Sequence, residues 1–301
     1  MSDKKLVIFD AYAIIYRAYF ALPTSLTDLQ NEPINAVYGL ISMLFKVIED
    51  TRPTHIAFAY DTAAKTFRDD MFEEYRAQRE APDDELISQF PKSIDIIQSL
   101  NIPMYSKDGY EADDVIGTIT HHTPENILSL VVTGDRDMLQ LVDTSTHLLM
   151  PQKSLSDAKE FDIEATIQKM GVIPEKIVDL KALMGDSADN YKGVPGIGPK
   201  TAIKLLDEYG DLENIYKNVN KIAGKTGQLL TEHKESALMS QKLARIARDV
   251  DIEFDLAECE KWELWNDQVD KKFTEIGFKT LKKRAEKLSK DLAAEKQGTL
   301  F

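Results

Sequence analysis

The sequence predicts an α/β fold in which a mostly parallel central sheet is flanked by helices and followed by a helical subdomain. Up to about residue 150, short apolar runs of strand length alternate with longer segments of helical periodicity. Such alternation is typical of parallel sheets with helices on both faces. From residue 162 onward only helical patterns remain. We therefore expect an α/β core over 1–170, a helical subdomain over 171–290 and a tail or linker over 291–301.

Five short apolar runs predict the strands, and the first of them ends directly before Asp10. A buried parallel strand is a continuous apolar run, and in open α/β sheets ligands bind outside the carboxyl ends of the strands. Asp10 is therefore a candidate site residue, although an Asp here could also cap the helix that follows. The second run closes on Asp61 in the same way. The predicted strands are 6–9, 55–60, 102–105, 127–133 and 147–150.

Segments of helical periodicity lie between and after these runs. The first of them carries Arg17 as its only charge, and a lone arginine among apolar residues requires an anion, either a carboxylate or a phosphate. The polar segment 23–33 predicts a loop. The predicted helices are 11–22, 35–50, 85–100, 110–122, 163–170, 175–184, 200–209, 235–248 and 277–289.

The composition excludes several classes of protein. The 301 residues are 43% hydrophobic and 29% charged, which is ordinary for a globular protein in water. No apolar run reaches the length of a membrane span, and the first run is too short for a signal peptide, so we expect a cytoplasmic protein without a membrane partner. The single Cys259 excludes an internal disulfide and a thiolate metal cluster.

The net charge of −14 argues against a nucleic-acid partner unless the acidic residues are concentrated in one place. Cationic residues are locally concentrated as well. Eight Lys and Arg accompany two Glu between residues 271 and 290, and three Lys occur without an acid between residues 191 and 206. A solvated helix face is the alternative interpretation of such a run.

Carboxylates occur in closely spaced groups next to the predicted strands and helices. The groups are Gly109-Tyr-Glu-Ala-Asp-Asp114, Gly134-Asp-Arg-Asp137 and Gly185-Asp-Ser-Ala-Asp189. Alternate residues of an extended segment point the same way, and two like charges so placed raise each other's pKa unless a cation neutralises them. Oxygen donors without a Cys or His cluster favour Mg²⁺ or Mn²⁺, and two such ions promote in-line displacement at phosphorus. Capping of a helix N-terminus is the alternative for 111–114.

Two further segments have the composition of nucleic-acid contacts. Between residues 63 and 91 cations interleave with aromatic residues, which suits single-stranded nucleic acid, although an exposed, salt-bridged helical segment would have the same pattern. Gly193-Val-Pro-Gly-Ile-Gly-Pro-Lys200 predicts the hairpin of a helix-hairpin-helix element over about 188–209. Its amides, with Lys200 and Lys204, would bind duplex backbone. A tight turn is the alternative for the glycines alone.

Taken in chain order, these motifs resemble one family. The matching segments are Phe9-Asp10 with Tyr16-Arg-Ala18, Phe58-Ala-Tyr-Asp61, Phe67-Arg68, Tyr75-Arg-Ala-Gln-Arg79, the three acidic groups and the hairpin. Over about residues 6–290 the chain is similar to the bacterial 5′-nucleases of the flap endonuclease superfamily, and in particular to N-terminal 5′–3′ exonuclease domains of the DNA polymerase I type. The resemblance implies a PIN/resolvase-like core with a helical arch at about 66–100.

The resemblance also implies the site residues and ions. One metal ion would be held by Asp10, Asp61, Glu111 and Asp113 with Asp114 close by, and a second by Asp135, Asp137 and Asp189 assisted by Asp186. The ions would be Mg²⁺ or Mn²⁺, two or three in number, with K⁺ at the hairpin. DNA would be contacted by Arg17, Lys65, Arg68, Tyr75, Arg76 and Arg79, and at the hairpin by Gly193, Gly196, Gly198, Lys200, Thr201 and Lys204. Catalysis would use the carboxylates other than Asp114 and Asp186, together with Arg17, Arg68 and Arg76.

The implied activity is structure-specific 5′–3′ exonuclease and 5′-flap endonuclease cleavage that leaves 5′-phosphates in primer removal and DNA repair. The substrates would be DNA with a 5′ flap, nick or overhang and RNA–DNA primer junctions, bound by a monomer at the bacterial nucleoid. The chain departs from many relatives at Ala11, where they have Gly, and from some at Arg76, where they have Lys. A non-catalytic helix-hairpin-helix scaffold and a small-molecule phosphohydrolase are the alternatives. The scaffold predicts missing carboxylates, and the phosphohydrolase has no need of the hairpin.

Overall fold

The centre of the molecule is a six-stranded sheet in the order β3-β2-β1-β4-β5-β6. The structure, a computed structural model, describes residues 4–152 and 157–298, with side chains up to residue 295. Neighbouring strands are parallel except β5 and β6, which are antiparallel. The strands are β1 Lys5–Asp10, β2 His55–Ala59, β3 Met104–Tyr105, β4 Leu128–Val132, β5 Thr146–Pro151 and β6 Ala158–Phe161.

The strand order reverses at β1, which pairs with β2 on one side and with β4 on the other. Ile8 lies opposite both Ala57 and Val131. The chain moves outward from β1 to β3 and then crosses back to β4, on the opposite side of β1. Such a reversal creates a crevice at the carboxyl ends of the strands, where ligands bind in this class of sheet. Asp10, the last residue of β1, therefore lies at the crevice.

Fourteen α-helices occur in the described residues. None of them is both long enough and apolar enough to cross a membrane. They are α1 Ala11–Ala21, α2 Asn35–Thr51, α3 Phe67–Met71, α4 Asp84–Ile87, α5 Gln89–Ser99, α6 Ala112–His122, α7 Ile163–Met170, α8 Ile177–Met184, α9 Pro199–Tyr209, α10 Leu212–Lys217, α11 Gly224–Glu232, α12 Lys234–Ala244, α13 Asp267–Ile276 and α14 Lys279–Gly298.

Two apolar layers cover the two faces of the sheet. Because side chains alternate along a strand, Phe9 faces one layer and Ile8 faces the other. The layer around Phe9 is formed by α1, α2, α5, α13 and α14. The layer around Ile8 is formed by α6 and by helices of the region from α8 to α12. The predicted α/β architecture, with a mostly parallel sheet and a helical part after it, is confirmed.

The last two helices do not belong to the helical subdomain in which the sequence analysis placed them. Phe273 and Phe278 are buried against Phe45 and Tyr38 of α2. Residues 291–298, predicted as part of a tail or linker, instead continue α14, and Glu295 pairs with Arg52 at 2.9 Å. Residues 299–301 lie outside the described residues. The boundary at 290 is therefore wrong as a description of packing, because these helices cover the α/β core.

The range assigned to a helical arch, 66–100, also divides into two parts. Leu86, Ile96 and Ile97 are buried, and α5 packs against α2 and α13 as part of the apolar layer around Phe9. Only the segment before α4 projects, since residues 73–74 and 77–81 are exposed. Residues 84–99 of the predicted arch, which form α4 and α5, thus belong to the core, because the apolar side of the amphipathic helix α5 is buried.

Two other features differ from the sequence analysis. Strand β6 was not predicted, since its sequence, Ala158–Phe161, is polar and only its last residue is buried. The cationic run 271–290 is largely paired within the chain: five of its eight cations contact carboxylates, among them Arg284 with Glu49 at 2.8 Å. The run is therefore mainly a salt-bridged helix surface.

Candidate metal centre and nucleic-acid interface

Six carboxylates line a cavity of about 480 Å³ at the carboxyl edge of the sheet, and five of them come from strand ends and from the start of α6. Asp10 ends β1, Asp61 follows β2 and Asp135 follows β4. Glu111 precedes α6 as its N-cap, and Asp113 lies in the first turn of that helix. The remaining lining residues are Tyr12, Ala13, Tyr16, Arg76, Arg79 and Glu80. We call Asp10, Asp61, Glu111, Asp113 and Asp135 the cavity group.

Asp10 shows how strongly this environment opposes negative charge. Its carboxylate accepts hydrogen bonds from the Ala13 amide at 3.1 Å and from Thr133 Oγ1 at 2.8 Å. Burial nevertheless raises the pKa of Asp10 to about 7, and the charges of Asp61 and Asp135 add to the effect. Asp10 therefore caps α1 and also lines the cavity.

The other members of the cavity group are subject to the same conflict. Burial raises the pKa of Asp113 well above its usual range, and repulsion from Asp135 and Asp10 raises it further. Burial also raises the pKa of Glu111 to about 7, although Arg76 acts in the opposite direction. Clustered oxygen donors that repel one another in a cavity fit a hard divalent cation, because its charge removes the cost of ionising them together.

A second group lies beside the first and comprises Asp137, Asp186 and Asp189. One carboxylate oxygen from each lies within 4.8 Å of the others, a spacing that could hold a metal ion. Burial raises the pKa of Asp137 to about 6, and the charge of Asp135 contributes. We call these three acids the loop group, since two of them lie between α8 and α9. Asp135 of the cavity group and Asp137 of the loop group are two residues apart, so the chain itself connects the two groups.

The glycine-rich hairpin connects the loop group to α9. Gly193 and Gly196 have positive φ values of 57° and 91°, which favour glycine. At Gly193 a Cβ would lie 2.3 Å from the Gly185 amide nitrogen, so the two chain segments could not approach with any larger residue. Gly193 is buried, and its amide donates to Ser240 Oγ, so this glycine shapes the hairpin and its amide is already bonded within the protein. Gly196, Gly198, Lys200 and Lys204 are exposed, and Thr201 is half-buried beside them.

Comparison with known proteins identifies the family. The model of the 5′–3′ exonuclease N-terminal resolvase-like domain matches residues 5–171, and that of the 5′–3′ exonuclease C-terminal SAM fold matches residues 172–267. The chain belongs to the 5′–3′ exonuclease family. The similarity to this family predicted from the motifs is therefore confirmed.

The relatives of this chain include much longer proteins. DNA polymerase I of Bacillus caldotenax is 39% identical over 290 residues, which cover 96% of this chain and 33% of that protein. DNA polymerase I of Bacillus subtilis (strain 168) is 38% identical over 296 residues, covering 98% and 33%. The chain thus spans about a third of the length of these relatives.

Solved structures share the fold of this chain at low sequence identity. The bacteriophage T5 D15 flap endonuclease, in a complex with DNA and metal ions, superposes with a TM-score of 0.66 at 19% identity, covering 97% of this chain and 98% of that one. The catalytic core of Rad2 in complex with a DNA substrate gives a TM-score of 0.59 at 16% identity, covering 96% and 92%. These likenesses support the fold.

Two arginines line the cavity: Arg76 contacts both carboxylate groups, and Arg79 contacts the loop group. Arg76 Nη1 lies 2.8 Å from Glu111 Oε1, and Arg76 Nε lies 3.0 Å from Asp189 Oδ1. Arg79 Nη2 lies 2.7 Å from the same Asp189 oxygen. The segment between α3 and α4 is thereby attached to the loop group, as the salt-bridged alternative predicted.

Asp114 and Arg68 do not have the roles predicted for them. Arg68 Nη1 and Nη2 donate to the two Asp114 oxygens at 2.7 and 2.9 Å, and both side chains are almost fully buried. The same Asp114 oxygens also accept from the Glu111 and Ala247 amides. Asp114 has no free oxygen with which to bind a metal, and the Arg68 guanidinium cannot reach a phosphate. The capping alternative holds for Asp114.

The remaining predicted contacts differ in accessibility. Tyr75 is buried, and its hydroxyl lies 3.3 Å from Asp189, so its ring is not available to stack on a base. Arg17 is half-buried in α1 and donates to the Gln152 carbonyl, so its partner here is a neutral peptide oxygen and not the predicted carboxylate or phosphate. Lys65 is exposed.

The sequence analysis missed two residues that shape the site. Thr133 is fully buried, and its Oγ1 donates to Asp10 while accepting from the Asp135 amide. Lys181 lies between two members of the loop group. The signal for Lys181 was present in the sequence: it is the one cation of the largely apolar α8, the same anomaly that drew attention to Arg17.

Proposed function

We propose that this chain is a Mg²⁺-dependent, structure-selective 5′–3′ nuclease that hydrolyses DNA and RNA-primer phosphodiesters and leaves 5′-phosphates. One observation carries the proposal: one carboxylate group lines a cavity, a second group begins two residues further along the chain at Asp137, and Arg76 contacts both. Family membership supports this interpretation. The substrates would be DNA with a 5′ flap, nick or overhang and RNA–DNA primer junctions.

The cavity group would hold one ion and the loop group a second. Asp135 lines the cavity together with Asp10 and Asp113, so we assign it to the first ion and not to the second as the resemblance implied. When bound, two such ions activate a water molecule and stabilise the leaving oxygen at phosphorus. Mn²⁺ has a similar preference for oxygen donors and is expected to substitute for Mg²⁺.

The protein groups would orient the substrate. Arg76 and Arg79 would exchange their carboxylate partners for phosphate oxygens, since a guanidinium forms paired hydrogen bonds with either anion. Glu111 and Asp189, relieved of these arginines, would then be free to bind ions. Thr133 would hold the Asp10 carboxylate in one orientation through its hydrogen bond.

The hairpin would anchor the duplex part of the substrate. The amides at the start of α9, with Lys200 and Lys204 one turn apart, suit a phosphate backbone without reading sequence. K⁺ bound by hairpin carbonyls would add charge at the same place. Such a substrate would place a monomeric enzyme at the bacterial nucleoid.

A labelled 5′-flap DNA tests the proposal against its two alternatives. Incubation with Mg²⁺ should release the flap, and EDTA should abolish the reaction. Tight binding without cleavage would favour the non-catalytic scaffold. Hydrolysis of a small phosphate ester such as p-nitrophenyl phosphate, without cleavage of DNA, would favour the phosphohydrolase.

A further inference from the structure

The loop group contains its own counterion. Lys181 Nζ lies 2.5 Å from Asp137 Oδ1 and also contacts Asp186 Oδ2. The Lys181 side chain is only 14% exposed, so the ammonium group depends on these carboxylates in place of water. Its backbone is fixed within α8, which packs against α9 and α12, whereas the side chain can swing about four rotatable bonds.

The cavity group differs in this respect. Within the described part of the chain, Asp10, Asp113 and Asp135 make no ion pair, and only Glu111 of that group contacts arginines. The cavity group therefore retains most of its mutual repulsion, whereas the loop group is partly neutralised by the protein itself. The two groups should therefore bind a divalent cation with different affinities.

An ion in the loop group would bind two carboxylates that Lys181 now contacts, those of Asp137 and Asp186. Mg²⁺ binds carboxylate oxygens at about 2.1 Å, and Mn²⁺ has the same preference for oxygen. An ammonium group 2.5 Å from Asp137 Oδ1 occupies the same space and the same lone pairs. Lysine and ion therefore exclude one another at this position.

We propose that Lys181 is an internal competitor for the second ion: it occupies the loop group in the ion-free protein, must swing away when that ion binds, and so weakens binding there relative to the cavity group. The inference rests on the proposed function. Lys181 is thus a positioning residue that sets the concentration at which the second ion binds.

Binding of Mn²⁺ to the 301-residue chain tests the inference without any activity assay. It is measured by titration calorimetry and by the electron paramagnetic resonance signal of free Mn²⁺. The wild type should bind Mn²⁺ at two classes of site, one tighter and one weaker. Lys181→Met should tighten the weaker class about tenfold or more, because a competing charge a few ångströms away is removed. The dissociation constant of the tighter class should change less than about twofold. Asp113→Asn should weaken this tighter class, which identifies it as the cavity group.

Two further variants distinguish removal of the Lys181 charge from an unspecific effect of substituting a lysine. Lys181→Arg keeps the positive charge and should leave the weaker class within about threefold of the wild type. Lys92→Met is the matched control, since Lys92 bridges Asp28 and Glu32 at 2.8 and 2.6 Å outside the site, and it should leave both classes unchanged. If Lys181→Met folds poorly without ions, its melting temperature on saturation with Mn²⁺ should rise more than that of the wild type.

The outcomes distinguish the two proposals. Weaker or unchanged binding in Lys181→Met, with normal binding by the wild type, would overturn the inference alone and assign Lys181 to holding Asp186 in place. A wild-type chain that binds no Mn²⁺ through these carboxylates would overturn the proposed function as well.

Discussion

Asp135 and Asp137 are two residues apart and yet belong to different carboxylate groups. Asp135 lines the cavity, whereas Asp137 joins Asp186 and Asp189. A 3₁₀ helix, Asp137–Leu141, begins at the second of them. A single short segment therefore fixes the spacing of the two groups, and small changes in it should affect both proposed ions.

Asp135→Asn should lower flap cleavage by at least about a thousandfold while changing the dissociation constant for DNA less than about threefold, because it removes a metal-binding charge and no phosphate contact. Asp189→Asn should also abolish cleavage, although it frees Arg76 and Arg79 as well. Single-turnover cleavage and fluorescence anisotropy measure the two quantities. Asp95→Asn, which removes a surface partner of Lys272, is the control and should be neutral. Normal cleavage by Asp135→Asn would refute the ligand assignment.

The raised pKa values predict how ion-free stability depends on pH. Burial raises the pKa of Asp10 and of Glu111 to about 7 and that of Asp137 to about 6. The folded state therefore binds more protons than the unfolded state between the ordinary carboxyl range and neutrality, so these groups make stability fall as pH rises through that window. Melting in EDTA should show a lower midpoint at pH 8 than at pH 5, and Mg²⁺ should restore more stability at pH 8. A rising midpoint in EDTA would contradict these shifts.

The three acids at the start of α6 show how far sequence reasoning reaches at this scale. Their spacing indicated either a shared metal site or a cap for the following helix, and α6 begins between Glu111 and Asp113. It did not predict that Asp114 is taken by Arg68, because that pairing depends on a residue 46 positions earlier in the chain. Contact between distant segments is decided by packing, which local pattern does not contain.

At the scale of elements, the reliable predictions were the buried strands and long amphipathic helices. β1, β2 and β4 were recognisable because continuous apolar runs indicate burial on both faces. β6 was missed because an edge strand with three exposed residues has no such run. The arch was overextended for a related reason: the sequence shows that α5 is amphipathic but not which surface its apolar side meets.

The hairpin yields a prediction about an element as a whole. Lys200→Ala with Lys204→Ala should weaken duplex binding and reduce the slope of log K against log salt by about one unit per lost phosphate contact. Anisotropy titrations at several salt concentrations measure the slope. Lys283→Ala with Lys287→Ala is the matched control, because these lysines are also exposed and four residues apart, on α14. A slope equally reduced by both pairs would indicate a general charge effect and not a hairpin contact.

At the scale of the whole molecule, one buried ion pair connects the parts that form the site. Arg68 lies in α3 and Asp114 in α6, and Arg68 also donates to the carbonyls of Leu243 and Arg245 at the end of α12. The Ala247 amide donates to Asp114 in return. The pair thus joins the projecting segment, the sheet edge and the helical part, and it holds Glu111 at the N-cap beside it.

Removing one partner of this pair should therefore destabilise the whole molecule. Asp114→Asn leaves the buried Arg68 charge with only its longer contact to Glu111, at 3.6 Å, and we expect a loss of about 3–5 kcal/mol in the free energy of unfolding. Arg284→Ala is the matched control: it breaks another two-point arginine–carboxylate contact, with Glu49, but that pair is about one-third exposed and should cost less than about 1 kcal/mol. Urea unfolding followed by circular dichroism measures both. Equal losses would mean that Arg68 and Asp114 form a local contact, whereas the larger loss with one cooperative transition would show that the site and the fold are held by the same interaction.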